Sequence, residues 1–278
     1  MKKIAFIVSV LMITFLGYGQ KKEKIKGSKI VTIEKKEVGN FIALEIADEI
    51  EVSLVKGDKS SIEIEADDNL HEALGVQLNG ETLVLTLMKE ISGFKKFIIR
   101  VNYTDGLNLI TAKNKAKVNA LETLKLDEVT FKAFDNAKLF LNVDAKAFTL
   151  IANDKSKIEL NVKSELSTIQ LSKNAELKAL VSSTQVRCDL YQKASAVMEG
   201  DAIDVTLRMD NNSNFTGKKF DTKKMNLVVE SYANATVLVA TSLTIDVSGN
   251  AEIQIYGDPK MELKKFADTA TLYKKQIK

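Results

Sequence analysis

From about residue 107 the chain alternates apolar and polar residues with period two, and a small residue interrupts the alternation at regular intervals. Leu139-x-Leu141-x-Val143, Ile158-x-Leu160-x-Val162 and Leu177-x-Ala179-x-Val181 are three such runs, each beginning two places after a small side chain. The small residue and the apolar residue that follows it recur as Ala116 with Val118, Ala137 with Leu139, Ser156 with Ile158 and Ala175 with Leu177. They continue as Ser195 with Val197, Ser213 with Phe215, Ala235 with Val237 and Ala251 with Ile253. Successive spacings of the small residue are 21, 19, 19, 20, 18, 22 and 16. Six places before it stand Ile110, Phe131, Leu150, Ile169, Leu207, Val229 and Ile245. The fifth copy puts Asp189 there, and a one-residue bulge is expected to restore the register of Val186, Cys188 and Leu190. Alternation on both sides of a fixed break reads as strand, turn, strand. Asn precedes the small residue in five copies, at 136, 174, 212, 234 and 250. Asn tolerates left-handed backbone, so the turn is expected at these Asn-Ala and Asn-Ser pairs.

One such unit buries too little to stand alone, whereas stacked units pair strand on strand and fill a continuous interior. The fold expected is all-β: a right-handed parallel β-helix-like solenoid of about eight two-strand repeats over residues 107–257. Val118, Leu139, Ile158, Leu177, Val197, Phe215, Val237 and Ile253 are expected to form one internal column. A β-sandwich with regularly spaced hairpins is the competing reading. Residues 20–106 are strand-rich without following the repeat, and are expected to be continuous with the solenoid and to cap its first turn. Phe41 to Ile46 and Ile50 to Leu54 read as a strand pair, Asn79-Gly80 as a hairpin turn and Asp67 to Leu74 as one or two helical turns. Tyr256-Gly257-Asp258-Pro259 marks a stop, because Pro cannot donate into a ladder. Residues 258–278 are then a C-terminal cap or tail.

The N-terminus changes the picture. Lys2 and Lys3 precede an apolar run from Ile4 to Leu16, followed by Gly17 and Gly19 at the −3 and −1 positions of a cleavage site before Gln20. This is the pattern of a secretory signal peptide over residues 1–19. Its apolar run falls short of the length a spanning helix needs, and no second segment reaches it, so no membrane span is expected after cleavage. Cleavage removes two lysines and leaves 38 basic residues against 37 acidic, a balance of +1. Such a chain has no electrostatic reason to seek nucleic acid. Cys188 is the single cysteine and cannot form an internal disulfide. Export to the periplasm, the cell surface or the medium is expected.

These residues also carry a resemblance. Phe41-x-x-Leu44-x-Ile46 and Val52-x-Leu54 open the chain, and the twenty-residue repeats follow. Val247-Ser248-Gly249-Asn250-Ala251 then runs into Tyr256-Gly257-x-Pro259. Over roughly residues 38–259 the sequence resembles the putative auto-transporter adhesin, head GIN domain family of Bacteroidota-type bacteria. Where that family favours Gly-Ser-Gly at its turns, this chain has Asn-Ala or Asn-Ser. The resemblance implies a parallel β-helix-like fold and an adhesive or surface role, and it offers no catalytic residues to carry over.

The chemistry is sparse. His71, the only histidine, lies in a polar stretch and reads as a solvated side chain. Cys188 reads as a small apolar core residue. Asp210-Asn211-Asn212-Ser213-Asn214, with Asp221 at the twelfth place, opens like a calcium loop, but Phe215 occupies the position that requires Gly. The segment reads as a repeat turn instead. Phe140, Tyr191 and Tyr232 are the aromatic candidates at outward positions in the repeats. No catalytic, cofactor-binding or metal-ligating residue is expected, and no cofactor. The function expected is a non-enzymatic binding or adhesion module of the cell envelope, with surface glycans or envelope proteins as partners. The alternatives are a polysaccharide-acting β-helix enzyme, which needs converging acids or bases in a groove, and an envelope scaffold or stress sensor.

Overall fold

The computed structural model describes residues 22–276. The expected signal peptide, residues 1–19, lies outside them. Nine short strands come first: β1 (Lys24–Lys26), β2 (Val31–Glu37), β3 (Ala43–Ile46), β4 (Glu51–Lys56), β5 (Ser61–Asp67), β6 (Leu74–Asn79), β7 (Thr82–Leu87), β8 (Glu90–Ser92) and β9 (Phe97–Tyr103). A 3-10 helix, Asp68–Ala73, separates β5 from β6. The repeats then supply β10 (Leu109–Ala112), β11 (Lys117–Ala133), β12 (Lys138–Ala152), β13 (Lys157–Leu171), β14 (Glu176–Leu190), β15 (Ser195–Met209), β16 (Asn214–Val229) and β17 (Asn234–Val247). They close with β18 (Glu252–Tyr256), β19 (Lys260–Phe266) and β20 (Thr271–Lys274). Every pairing among β10 to β20 is parallel, and the whole is a solenoid of about nine turns.

The long strands are not straight. Along β12, β13 and β14 burial alternates strictly until two neighbouring residues both turn outward: Lys146-Ala147, Glu165-Leu166 and Thr184-Gln185. Two outward residues in succession reverse which parity faces inward, because strand side chains point to opposite faces in turn. Each strand therefore bends there into two arms. The first arms stack into one sheet, face A, and the second arms into another, face B, with the apolar residues of both between them. Phe131 and Phe148 meet in this interior with ring centroids 6.1 Å apart.

The other corner is tight. The amide of Ala137 donates to the carbonyl of Phe134, and the amides of Ser156, Ala175, Ala194 and Ala233 make the same three-residue closure. The left-handed residue falls one place earlier than expected. Asp135, Asp154, Lys173, Gln192, Asn211 and Ser231 carry φ near +60°, while Asn136, Asn174 and Asn212 do not. The closure needs its left-handed residue directly after the carbonyl that accepts. Asn lies one place beyond, at the second inner position.

The small-residue column is Ala116, Ala137, Ser156, Ala175, Ala194, Ser213, Ala233 and Ala251, all fully buried. The expected Ser195 and Ala235 are thus replaced by Ala194 and Ala233, and the spacings tighten to 21, 19, 19, 19, 19, 20 and 18. Neighbouring small residues at both places had made the choice ambiguous. The internal column accordingly runs Val118, Leu139, Ile158, Leu177, Ala196, Phe215, Ala235 and Ile253. Val197 faces outward, 40% exposed, and Val237 is buried two places along, opposite Ile255. The bulge expected near Asp189 is absent. Cys188 lies in register between Ile169 and Leu207, and its buried thiol is held protonated by loss of solvent. Irregularities occur instead between Ala120 and Leu124, around residues 197–224, and between Ile245 and Asp246 where β17 meets β19.

Phe41 to Ile46 and Ile50 to Leu54 do not pair with each other. They flank a corner at Asp48, φ 66°, and stack on the next turn, β3 on β10 and β4 on β11, all parallel. On their far side lie β7 and β9, also parallel. Beyond these the ladders become antiparallel, β2 with β5, β5 with β9 and β6 with β7. The β6–β7 pair is the hairpin turning at Asn79-Gly80, with Gly80 at φ +60°. At the other end the chain continues past Pro259: β19 pairs with β17 and β20 with β18. Met261, Leu263 and Phe266 are at least half exposed there, although they extend the register of Leu243, Ile245 and Val247.

Within the antiparallel region stands Asp67, a fully buried carboxylate. It accepts hydrogen bonds from the backbone amides of Lys29, Lys95 and Lys96, at 2.8 to 3.1 Å. Burial opposes its charge, but the three amide donors outweigh burial and hold its pKa below the ordinary carboxylate value. A depressed carboxylate stabilises the fold above its unfolded pKa, and that contribution is lost as pH falls through the folded value. Asp67→Asn should therefore lower thermal stability at neutral pH, with the gap to wild type closing as pH falls below the ordinary carboxylate value. Parallel melting curves across that range check it. A gap that is constant with pH would show that the carboxylate charge plays no part.

Candidate functional site

Three regular turns occupy the middle of face A, because β12, β13 and β14 are each 15 residues long and pair without a break. Their outward residues, with those of β15, form a grid of three columns. Phe140, Glu159, Lys178 and Val197 make the first, Asn142, Asn161, Leu180 and Glu199 the second, and Asp144, Lys163, Ser182 and Asp201 the third. The flanking turns are irregular. Three residues, 121–123, stand where Asn142 alone stands on β12, and β16 carries extra residues near Gly217 and Lys218. These register shifts bound the regular strands on either side. On the regular strands lies a trough of about 560 Å³ lined by the first two columns, which continues past Ser182 towards the bend. At the bend it meets a second concavity of about 750 Å³, lined by Lys125, Asp127, Lys146, Lys163, Glu165 and Thr184 among others.

The trough floor mixes apolar and amide groups. Leu180 is 52% exposed and Val197 is open to solvent beside it, while Asn142 and Asn161 stand in register. The Lys117 ammonium lies 5.4 Å from the Phe140 ring centroid, a cation–π contact that fixes the ring at the edge of the trough. Charges alternate between turns, with Glu159 beside Lys178 and Asp144 beside Lys163. Lys219 from the β16 bulge pairs with Glu199 at 3.2 Å. At the bend Lys146 pairs with Asp127 at 2.8 Å, and the hydrogen bond lowers the Asp127 pKa while raising that of Lys146. Exposed pairs of this kind contribute little stability. They leave a trough with scattered, largely compensated charge.

Beneath the bend Ser164, Ser167 and Ser183 form a closed triangle of buried hydroxyls, 2.7, 2.7 and 3.0 Å apart. Among the described residues the three hydroxyls hydrogen-bond only to one another, so the group satisfies itself. Among the described residues no group of three or more His, Cys, Asp or Glu is arranged to hold a metal ion.

The other singled-out residues lie apart from the trough. His71 is buried rather than solvated. Its Nε2 and the Thr32 hydroxyl are 2.7 Å apart, and its Nδ1 lies 3.4 Å from Glu34. Packing of the 3-10 helix against β2 encloses it, which a polar local sequence does not reveal. Asp210 accepts from the Asn211 amide and from the Ser231 hydroxyl at 2.8 Å, which are corner contacts, and Phe215 points inward. Tyr232 is exposed on a corner, and Tyr191 sits at another. Of the aromatic candidates only Phe140 lines the trough. Asn142, Asn161 and Leu180 were not singled out in the sequence. Their signal was their outward parity beside Leu141, Leu160 and Ala179, and it became a site only when the register stacked them.

The sequence pattern of the family described as putative auto-transporter adhesin, head GIN domain, matches residues 40–259. No curated protein matches the chain. Among solved structures, a putative adhesin from Parabacteroides merdae superposes with TM-score 0.66 at 18% identity, covering 91% of this chain and 99% of that one. A putative adhesin from Parabacteroides distasonis gives TM-score 0.67 at 17% identity, over 91% and 100% of the two chains. A second protein from that organism, named a putative lipid binding protein, gives 0.58 at 13%, over 91% and 99%. At these identities the likeness is one of fold.

Proposed function

For a chain that belongs to the putative auto-transporter adhesin, head GIN domain family, we propose an exported, non-enzymatic adhesion module of the cell envelope that binds an extended glycan along face A. The observation that carries this reading is the trough across three regular turns, with exposed Leu180 and Val197 beside the polar side chains of Asn161, Glu159 and Lys178. Pyranose rings present an apolar C–H face and a rim of hydroxyls, and such a floor offers a partner to each. The turns repeat along the stack, so successive sugar units meet successive strands and no single deep pocket is needed. Two neighbours of the same fold are called putative adhesins, which supports the class of role.

The test is a glycan array with the mature chain, run beside a polysaccharide-degradation screen. Leu180→Asp is expected to abolish binding of the retained glycan while thermal stability stays within about 0.5 kcal/mol, since an exposed substitution perturbs folding little. Retained binding in that variant would move the site off this face. Turnover of any glycan, lost on replacing a single acid such as Asp144 or Glu165, would replace adhesion by catalysis. Export has its own check. The N-terminus of protein recovered from the envelope or medium should be Gln20, and an intact Met1 in the cytoplasmic fraction would overturn it.

A further inference from the structure

The chain holds 40 basic residues, and only three of them are arginine: Arg100, Arg187 and Arg208. Two of the three stand on adjacent turns of face B, the sheet opposite the trough. In register, Arg187 pairs with Thr206, and Asp189 pairs with Arg208. Arg187 Nε donates to Asp189 Oδ2 at 3.0 Å, and the Asp189 side chain is only 10% exposed although it belongs to an outward position. The second carboxylate oxygen, Oδ1, is buried and has no hydrogen-bond partner. Burying a charged group with one oxygen unsatisfied costs stability. Gln170 fills the same place on the preceding turn without any such arrangement. The pair is therefore not explained by what it adds to the fold.

Its effect is to orient the guanidinium. With Nε held by Asp189, the edge formed by the two Nη groups has no other protein partner among the described residues. Arg187 lines a groove of about 530 Å³ with Gln185, Asp204, Thr206, Lys224, Asn226 and Thr244. The guanidinium edge is a planar fork that matches two oxygens of a carboxylate or sulfate. The column around it is rich in hydroxyl groups, with Thr149 and Thr168 on one side of Arg187 and Thr206 on the other. Arg208 and Lys224 add positive charge on the following turns, so the three cations outnumber Asp189 and Asp204. Hydroxyl and amide groups around one oriented arginine suit a sugar that carries an anionic group.

We propose that face B holds a second glycan subsite, selective for acidic sugars, in which Arg187 binds the carboxylate or sulfate and Asp189 is its positioning residue. The subsite shares with the face A reading the premise of a glycan ligand, but it uses different residues. The mature chain is titrated with polygalacturonate, dextran sulfate and neutral dextran at physiological salt. Binding to at least one acidic polymer and not to neutral dextran is expected, and the two acidic arms separate carboxylate from sulfate selectivity. Arg187→Ala and Arg187→Lys should each weaken it about tenfold or more, because lysine cannot present the fork. Asp189→Asn is the discriminating variant. A diffuse basic patch would bind more tightly on losing a negative charge, whereas loss of positioning weakens binding. Should Asp189→Asn fail to fold, the exposed Arg187→Lys still decides. Absence of binding to both acidic polymers, unchanged affinity in Arg187→Lys, or tighter binding in Asp189→Asn would each overturn the proposal. Leu180→Asp should leave acidic binding intact, so failure on one face is distinguishable from failure on the other.

Discussion

Ile158→Asp should abolish cooperative folding. Ile158 is 2% exposed and sits between Leu139 and Leu177 in the internal column of face A, in the middle of the stack. The substitution removes a buried side chain contributing roughly 1.5–3 kcal/mol. It also places a carboxylate between the apolar Leu139 and Leu177, which costs several kcal/mol more by charge burial or by forced protonation. A solenoid turn contacts only its two neighbours, so one broken turn uncouples the stack on either side. The sum, on the order of 5 kcal/mol, is comparable to the whole stability of an ordinary domain. Circular dichroism should show a broad, early transition in place of a single sharp one. The outward neighbour supplies the control: Glu159→Gln, on the same strand, should melt within about 0.5 kcal/mol of wild type. A sharp, unshifted transition for Ile158→Asp would take this residue out of the core and the proposed stack with it.

The contrast between residues 158 and 159 is also how the fold could be read from the sequence. Period-two alternation fixes which residues face inward, and the recurrence of a small residue fixes the length of a turn. Together they specify parallel stacking, since equal turns superpose strand on strand. What they leave open is phase within one turn. Ala194-Ser195 and Ala233-Asn234-Ala235 each offer two small residues, and local pattern cannot say which enters the corner. Only the pairing of Cys188 with Ile169 and of Leu227 with Leu207 decides. The left-handed residue was misplaced for a related reason. Lys173 and Gln192 occupy that position with φ near +60°, yet neither residue type signals it. Neighbouring turns hold the conformation. Of the two faces, the trough was partly legible. Phe140 was visible as an outward aromatic, whereas the flanking bulges depend on register shifts between turns of unequal length. The oriented Arg187 depends on burial of an outward aspartate, a property of neighbouring turns that no single strand encodes.

Gly200→Ala should be among the most damaging single-methyl additions at the described residues. Gly200 lies in β15 with φ +103°, a conformation that side-chain-bearing residues rarely adopt. A Cβ there would come 2.1 Å from the Val181 carbonyl oxygen and 3.0 Å from its carbonyl carbon. These are backbone atoms of the preceding turn, and they are held by the parallel ladder, so rotating a side chain does not relieve the contact. The column explains why glycine is accommodated: in register, Val181 lies on one side of Gly200 and the large, fully buried Phe220 on the other. Strain at such a position costs roughly 1–3 kcal/mol, and overpacking adds roughly 1–3 kcal/mol. A loss of about 4 kcal/mol corresponds to a fall in Tm on the order of 10 °C for a chain of this length. Gly80→Ala separates the two causes. Gly80 has φ +60° at the hairpin tip, with nothing within 4 Å of an added methyl, so it suffers backbone strain alone, about 1 kcal/mol. Gly257, whose Cβ would lie 2.2 Å from the Val239 oxygen, should behave like Gly200. If thermal melts place Gly200→Ala no lower than Gly80→Ala, the turns cannot be stacked closely enough for one backbone to exclude a methyl group on the next. If Gly200→Ala and Gly257→Ala fall together and well below Gly80→Ala, the contact between turns, and not the conformation of the residue itself, is what requires glycine.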